Sequence, residues 1–317
     1  MDYSDLLTRS WKMVWKNKFL LLLGFFAALG TGGGRTTSSW RTDITEINSA
    51  NGFPEAVERF FTQYGTLLIV LTCIGLFLGL LLWLLRLTAQ SGLIHSVARL
   101  DAGESMSFTQ AFSVGRSKLG RMAGVNLLMY GPFTLLGLTL VGGTMAAVGL
   151  AALDEAGRGV STMSEAFAGS LAILLTCVGC LFCIAMPLIF LVSLIYPFAQ
   201  RGVVIQDLGV MASIRHGWQI LKGNVGDILL LVVLFFVISI LFGILSLVLL
   251  LPLGFLALGP AVIGLLSGGN LGVSEIALLT GGGICVGLVG TAINSIMISF
   301  RSTAITLAYQ EFVVRNT

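Results

Sequence analysis

Three cysteines, Cys177, Cys180 and Cys183, stand three residues apart in the run LLTCVGCLFCIAMPL. Thiols at this spacing ligate iron–sulfur clusters when a loop wraps the cluster. Here the run is apolar and reads as helix, so steps of three set the thiols on a slowly drifting line. No fourth Cys lies near in sequence. The reading is small apolar residues packing a helix, not a metal site. His95 and His216 are far apart in the chain, and no H-x-x-E or similar ligand spacing accompanies either one. Gly281-Gly282-Gly283 and Gly32-Gly33-Gly34 precede no Lys-Ser/Thr pair and follow no strand, so neither is a phosphate loop. No Ser/His/Asp set, no paired carboxylates and no H-E-x-x-H occur. The expectation is a protein without catalytic, cofactor or metal residues, and not an enzyme.

Polar side chains inside apolar runs carry more weight, because polarity within a membrane is expensive. Asn126, Asn294, Ser295 and Ser299 qualify, as do Gln90 and Gln200. Arg86, Arg201 and Arg301 stand at the ends of such runs. One reading is a polar cluster of Arg86, Gln90, Asn126, Gln200, Arg201, Asn294 and Arg301 that binds a headgroup or solute. The other is helix capping, interhelical hydrogen bonds and snorkelling arginines. No run carries Asp, Glu or Lys near its middle, which counts against a proton- or cation-coupled pump.

The elements holding these residues follow from composition. Of 317 residues, 56% are hydrophobic and 10% charged, with a mean hydropathy of +0.96. Soluble domains carry about 25% charged residues, so the solvent for most of this chain is lipid. The 40 glycines suit close helix packing in a membrane. All five cysteines fall in apolar runs, against a disulfide framework. No basic domain points to nucleic acid.

Six apolar segments read as membrane spans: residues 19–34 (short), 65–87, 123–152, 167–198, 228–251 and 276–300. Pro132 inside the third predicts a kink rather than a break. Residues 253–266 read either as a re-entrant piece or as an extension of the fifth span. FPEAVERFF, in the polar stretch 31–63, reads as a short interfacial helix. The first run, FLLLLGFFAALG, follows Lys12, Lys16 and Lys18 as a signal peptide would. Its recurrence inside the chain favours an uncleaved span. With the N-terminus inside, fourteen Lys and Arg fall on inside segments and four on outside loops. That bias predicts both termini in the cytoplasm.

The pattern occurs three times, from near Tyr3, Ser107 and Met211, and predicts repeats over 1–104, 105–208 and 209–317 within one membrane domain. AQSGLI at Ala89 matches AQRGVV at Ala199, 110 positions on. Thr303-Ala304 echoes Thr88-Ala89, with Arg301 in the place of Arg86. Ser10-Trp11-Lys12-Met13-Val14 pairs with Gly217-Trp218-Gln219-Ile220-Leu221, and the middle copy offers Gly115-Arg116-Ser117-Lys118-Leu119. Each copy opens on a basic amphipathic stretch. Met211, Ile214, Trp218 and Leu221 share one face in the third; Leu7, Trp11, Val14 and Trp15 form the stripe in the first. Such helices lie in the interface plane, with Trp at headgroup depth and each basic residue adding about 1 kcal/mol near an anionic leaflet. Trp11, Lys12, Trp15, Lys16, Arg116, Lys118, Arg215, Trp218 and Lys222 are the expected lipid contacts.

SWKMVWKNKFLLLLGFFAALG, SVARLDAGESMSFTQAFSVGRSKLGR, SIRHGWQILKGNVGDILLL and TAITLAYQEF together resemble a family of bacterial six-span membrane proteins of uncharacterised function. That family is related to the membrane domain of glycerophosphodiester phosphodiesterases. The resemblance implies the six-span fold and a bacterial inner-membrane location. In the phosphodiesterases catalysis belongs to a separate soluble barrel, for which a longest polar stretch of about 33 residues leaves no room. The fold class is therefore all-α integral membrane: six transmembrane helices as three hairpin repeats, each preceded by a cytoplasmic amphipathic helix. The function expected is non-enzymatic: interaction with membrane lipids, or an accessory role beside a membrane-protein partner. The alternative is a transporter or channel with a pathway between the three hairpins. An intramembrane lipid enzyme is a weaker third reading.

Overall fold

A computed structural model describes residues 2–29, 53–156, 163–266 and 273–316. Among these residues there are nine α-helices and no strand. They are α1 (Tyr3–Lys16), α2 (Lys18–Leu29), α3 (Phe53–Asp101), α4 (Phe108–Ser117), α5 (Leu119–Ala156), α6 (Met163–Ile205), α7 (Val210–Gly223), α8 (Val225–Leu266) and α9 (Val273–Asn316). The glycines at 32–34 and residues 157–162 lie outside the described residues.

Five helices are long and apolar enough to cross a membrane, over Gly65–Asp101, Leu119–Leu140, Ala185–Ile205, Val225–Leu256 and Gly281–Arg315. The chain is a multi-pass membrane protein by this measure. The described part of the first apolar run is the 12-residue α2. At 1.5 Å per residue it spans about 18 Å, short of a hydrocarbon core of about 30 Å. FPEAVERFF is not a separate helix: it is the start of α3, with Pro54 in the first turn, where a missing N–H costs nothing. Residues 253–266 continue α8 without re-entry, through Pro252 and Pro260. Helix α5 likewise runs through Pro132.

Local signals set the short links. Asp2 caps α1, its carboxylate accepting from the Ser4 and Asp5 amides. Asn17 separates α1 from α2 and returns its side-chain amide to the Met13 carbonyl at 3.0 Å. Asn224 does the same between α7 and α8, on the Ile220 carbonyl at 3.3 Å. Helix α3 stops on Gly103 in the left-handed region (φ 85°), with Gly103 and Glu104 amides returning to the Leu100 and Arg99 carbonyls. Ser107 and Gln110 then form a capping box that starts α4.

The chain divides into two compact units. The first holds residues 1–37, 78–123 and 197–317. Its core joins Leu23 and Ala27 of α2, Ala89 and Leu93 of α3 and Ala111 of α4, against which Phe26, Phe108 and Ile298 pack. Small residues bring these backbones together. A methyl on Gly92 would lie 2.6 Å from the Ala111 carbonyl oxygen, and one on Gly115 would collide with the Thr88 carbonyl. A methyl on Gly24 would collide with the Ser299 hydroxyl and lie 2.7 Å from the Ser295 carbonyl. Close approach of this kind is how helices associate in lipid, where packing rather than water exclusion drives contact. One side of α8 packs inward through Ile228, Leu231 and Phe235, while its outward side is exposed and apolar, with Phe255 and Leu256 more than 70% exposed, a surface suited to lipid. The second unit holds residues 38–77 and 124–196. Within it the Asn126 amide donates to Tyr196 Oη at 2.7 Å, and the Tyr130 and Tyr196 rings meet edge-on at 5.0 Å.

Candidate functional site

Arg201 is the most buried cation of the polar group singled out in the sequence, at 2% exposure. Its Nε donates to Thr306 Oγ1 at 3.2 Å, and its terminal nitrogens donate to the Pro197 carbonyl at 2.6 Å and the Ser302 carbonyl at 2.9 Å. The guanidinium is spent on tying α6 to α9. One residue earlier, Gln200 donates to Gln90 Oε1 at 3.4 Å, tying α6 to α3. Arg301 is exposed and lies over the Phe235 ring, 5.8 Å from its centroid. Asn294 is exposed on α9, and Arg86 is half-buried on α3. Asn126 belongs to the second unit with its tyrosine partner. Gln90, Asn126, Gln200 and Arg201 are therefore helix ties, while Arg301 and Asn294 face outward.

Among the described residues the cysteines and histidines do not assemble. Cys183 is exposed, and the side chains of Cys177 and Cys180 lie outside the described residues. No group of three metal-ligating side chains exists among the described residues. His216 Nε2 faces Tyr309 Oη at 3.0 Å, and burial holds its imidazole below the ordinary histidine range.

The short helices carry the solvent-facing charge. In α1 the expected stripe is divided: Val14 turns inward with Leu6 and Ser10, while Trp11 and Trp15 are 46% and 48% exposed. Trp11 meets Phe300 of α9 edge-on at 5.8 Å. In α7 the inward face is Ser213, Gly217, Ile220 and Leu221, and Met211 is exposed. Trp218 is half-buried, with the Lys222 ammonium 5.0 Å from its ring centroid. Lys12, Lys16, Arg116, Arg215 and Lys222 are exposed. Lys118 is bound to the Asp207 carboxylate, which Arg121 also holds while donating to the Asp207 carbonyl at 3.0 Å. The two cations keep the Asp207 carboxyl below its usual range, Lys118 foremost.

Two grooves open on α1. One, of about 500 Å³, is lined by Arg9, Lys12, Met13 and Lys16 of α1, by Asn17 and by Leu100 and residues 103–106. The other, of about 360 Å³, is acidic, with Asp2, Asp5, Asp101 and Glu311 around Arg9. Arg9 bridges to Asp101 at 2.6 Å between them. Nearby, Tyr3 Oη donates to Asp227 Oδ1 at 2.8 Å, and Arg315 holds the other Asp227 oxygen at 3.0 Å. Burial, then that carboxylate, push the Tyr3 phenol up to about 12.

Sequence reasoning missed these clasps. The left-handed backbone of Asp207 (φ 58°), which aims its carboxylate back at α4 and α5, leaves no trace in hydropathy. The signals that existed were the small residues Gly24, Gly92 and Gly115 within apolar or amphipathic helices. Compared with protein-family models, curated proteins and solved structures, the chain matches none.

Proposed function

We propose that this chain is a non-enzymatic integral membrane protein whose work is to bind membrane lipid, with a basic collar of short helices at one face of a helical bundle. The single observation that carries the reading is the exposure of Trp11 and Trp15 beside Lys12 and Lys16 on a helix whose third face is buried. Indole at headgroup depth and ammonium beside it suit an anionic leaflet. The collar helices are read as amphipathic and cytoplasmic, in a bacterial inner membrane.

A threefold repeat is part of this proposal. The element order is short, long, long in the second and third copies, while the first sets the 12-residue α2 between α1 and the long α3; α1, α4 and α7 open the copies. Ala89, Ala199 and Ala304 hold equivalent places and each has no exposed surface. Two positions on, the equivalent set is Ser91, Arg201 and Thr306, of which the last two are hydrogen-bonded to each other. Each short helix touches the long helix that closes the preceding copy: α4 touches α3 through Ser91 and Gly115, α7 touches α6 through Ser213 and Gly202, and α1 touches α9 through Trp11 and Phe300. Aligning the bends at Asn17, Lys118 and Asn224 sets Ala111, rather than Gly115, opposite Ser10 and Gly217, a shift of one turn.

Six crossings are also part of this proposal. Arg9 of α1 reaches Asp101 at the end of α3, so α1 and that end share a face. Against the transporter alternative, Gln90 and Gln200 face each other in a helix contact, and no water-filled path is needed to explain them.

Native mass spectrometry of the chain released from nanodiscs tests the reading. Retained phospholipid without a second protein supports it. A stoichiometric protein companion moves the function to an accessory role, and a bare chain refutes lipid binding.

A further inference from the structure

The 500 Å³ groove is of ordinary ligand-site size, and its charges do not cancel. Asp101 is engaged by Arg9 at 2.6 Å, and both Glu104 oxygens are held by Arg99 at 2.9 Å. Glu104, the acidic residue in the groove lining, thus has its own cation, and Asp101, which lines the second groove, is held by Arg9. Lys12 and Lys16 form no ion pair among the described residues, and both are exposed. One turn apart on α1, they present two free ammonium groups to the same concavity, beside the apolar side chains of Met13, Leu100 and Met106. Around α1, at 100° per residue, the lysines are centred roughly 100° from the pair Trp11 and Trp15. The indoles therefore fix the depth of the helix while the lysines face sideways, at headgroup level, into the groove.

We propose that this groove takes the phosphate of an anionic phospholipid headgroup, with Lys12 and Lys16 as its charge partners and the Met13–Leu100–Met106 wall against the glycerol. The proposal rests on the lipid-binding reading above and names its site. Two point charges on flexible stems suit a phosphodiester, which needs no bidentate geometry. The site selects anionic over zwitterionic lipid because a choline or ethanolamine would bring its own cation against the lysines.

The test uses the full chain in mild detergent, titrated with dioleoyl phosphatidylglycerol and, separately, dioleoyl phosphatidylcholine, with bound lipid counted by native mass spectrometry. Wild type is expected to hold one phosphatidylglycerol in preference to phosphatidylcholine. Lys12→Gln with Lys16→Gln is expected to weaken that lipid by roughly tenfold or more, and Lys12→Arg with Lys16→Arg to restore it. Arg315→Gln, which removes a cation outside the groove lining and outside the collar, is expected to leave it unchanged. Equal melting temperatures of the four proteins exclude misfolding as the cause. Undiminished phosphatidylglycerol binding in the double glutamine variant overturns the groove and leaves lipid binding itself intact. Loss of lipid from wild type overturns both. Competition by soluble glycerol phosphate at equimolar concentration overturns the assignment to a lipid and makes the groove a solute site.

Discussion

Arg201 Nε and Thr306 Oγ1 meet at 3.2 Å between α6 and α9, and the other two contacts of the guanidinium are the carbonyls of Pro197 and Ser302. A cation held by three neutral oxygens owes its place to geometry rather than to a counterion. Replacing it by Met removes the charge together with its bonds, so no bare cation is left behind. The expected cost is about 1–3 kcal/mol, the range for stranding buried acceptors. Arg201→Lys is also expected to be less stable than wild type, because an ammonium cannot reproduce the planar fork. Thermal melts in detergent check both. A Met variant as stable as wild type would show that the tie contributes nothing net.

Gly24 and Gly115 are contact points where backbone meets backbone or a short side chain, whereas Gly75 and Gly79 of α3 have nothing within 4 Å of an added methyl. Gly24→Ala and Gly115→Ala are each expected to cost about 1–3 kcal/mol or more, the range for overpacking a fitted contact. Gly75→Ala and Gly79→Ala are expected to be neutral or slightly stabilising, since Ala is the better helix former. Comparing the melting temperatures of the four variants separates packing from propensity. Equal losses at all four positions would refute the packing account.

Hydropathy alone exposed the long helices, because an uncharged apolar run of about twenty residues has few other fates. The cap chemistry of Ser107 with Gln110 was also open to sequence reading. For residues 253–266 the sequence left two readings open, because proline usually ends helices in water; the chain takes the extension, since in lipid an unwound backbone is worse than a lost hydrogen bond. The union of FPEAVERFF with α3 was hidden by its charges, Glu55, Glu58 and Arg59, which suggested an interfacial element. Among the polar residues, the pairing of Gln90 with Gln200 was foreshadowed by their offset of 110. The outward placement of Asn294 and Arg301 was not, because hydropathy does not give the rotation of a helix buried on one side and bare on the other.

His216 faces Tyr309 at 3.0 Å, and burial lowers its affinity for a proton in the folded chain. The unfolded chain therefore binds the extra proton first. Its contribution to stability is whole above the ordinary value of 6.5 and is lost as pH falls from there through the lower folded value. Melting temperature is expected to drop as pH is taken from neutrality through this window, and His216→Gln is expected to flatten the drop. An unchanged slope in the variant would assign the pH dependence to other groups.

Asp207 combines two features that substitution can separate: a left-handed backbone and a carboxylate shared by Lys118 and Arg121. Asp207→Asn keeps a side chain that tolerates the left-handed region and removes the charge. Asp207→Leu removes the charge and adds a steric cost. Both are expected to lower the melting temperature, Leu more than Asn. At about 1 M salt, where screening length shrinks to about 3 Å, the gap between wild type and Asn should narrow, because both charge pairs lie at an exposed carboxylate. The gap between Asn and Leu should persist, because a backbone clash is not screened. The carboxylate titrates below its ordinary 3.8 in the fold, so its share of stability is present at neutral pH and vanishes as pH falls through that lowered value. Below it, wild type and Asn should converge. A salt-independent, pH-independent difference between them would show that Asp207 acts through its backbone alone.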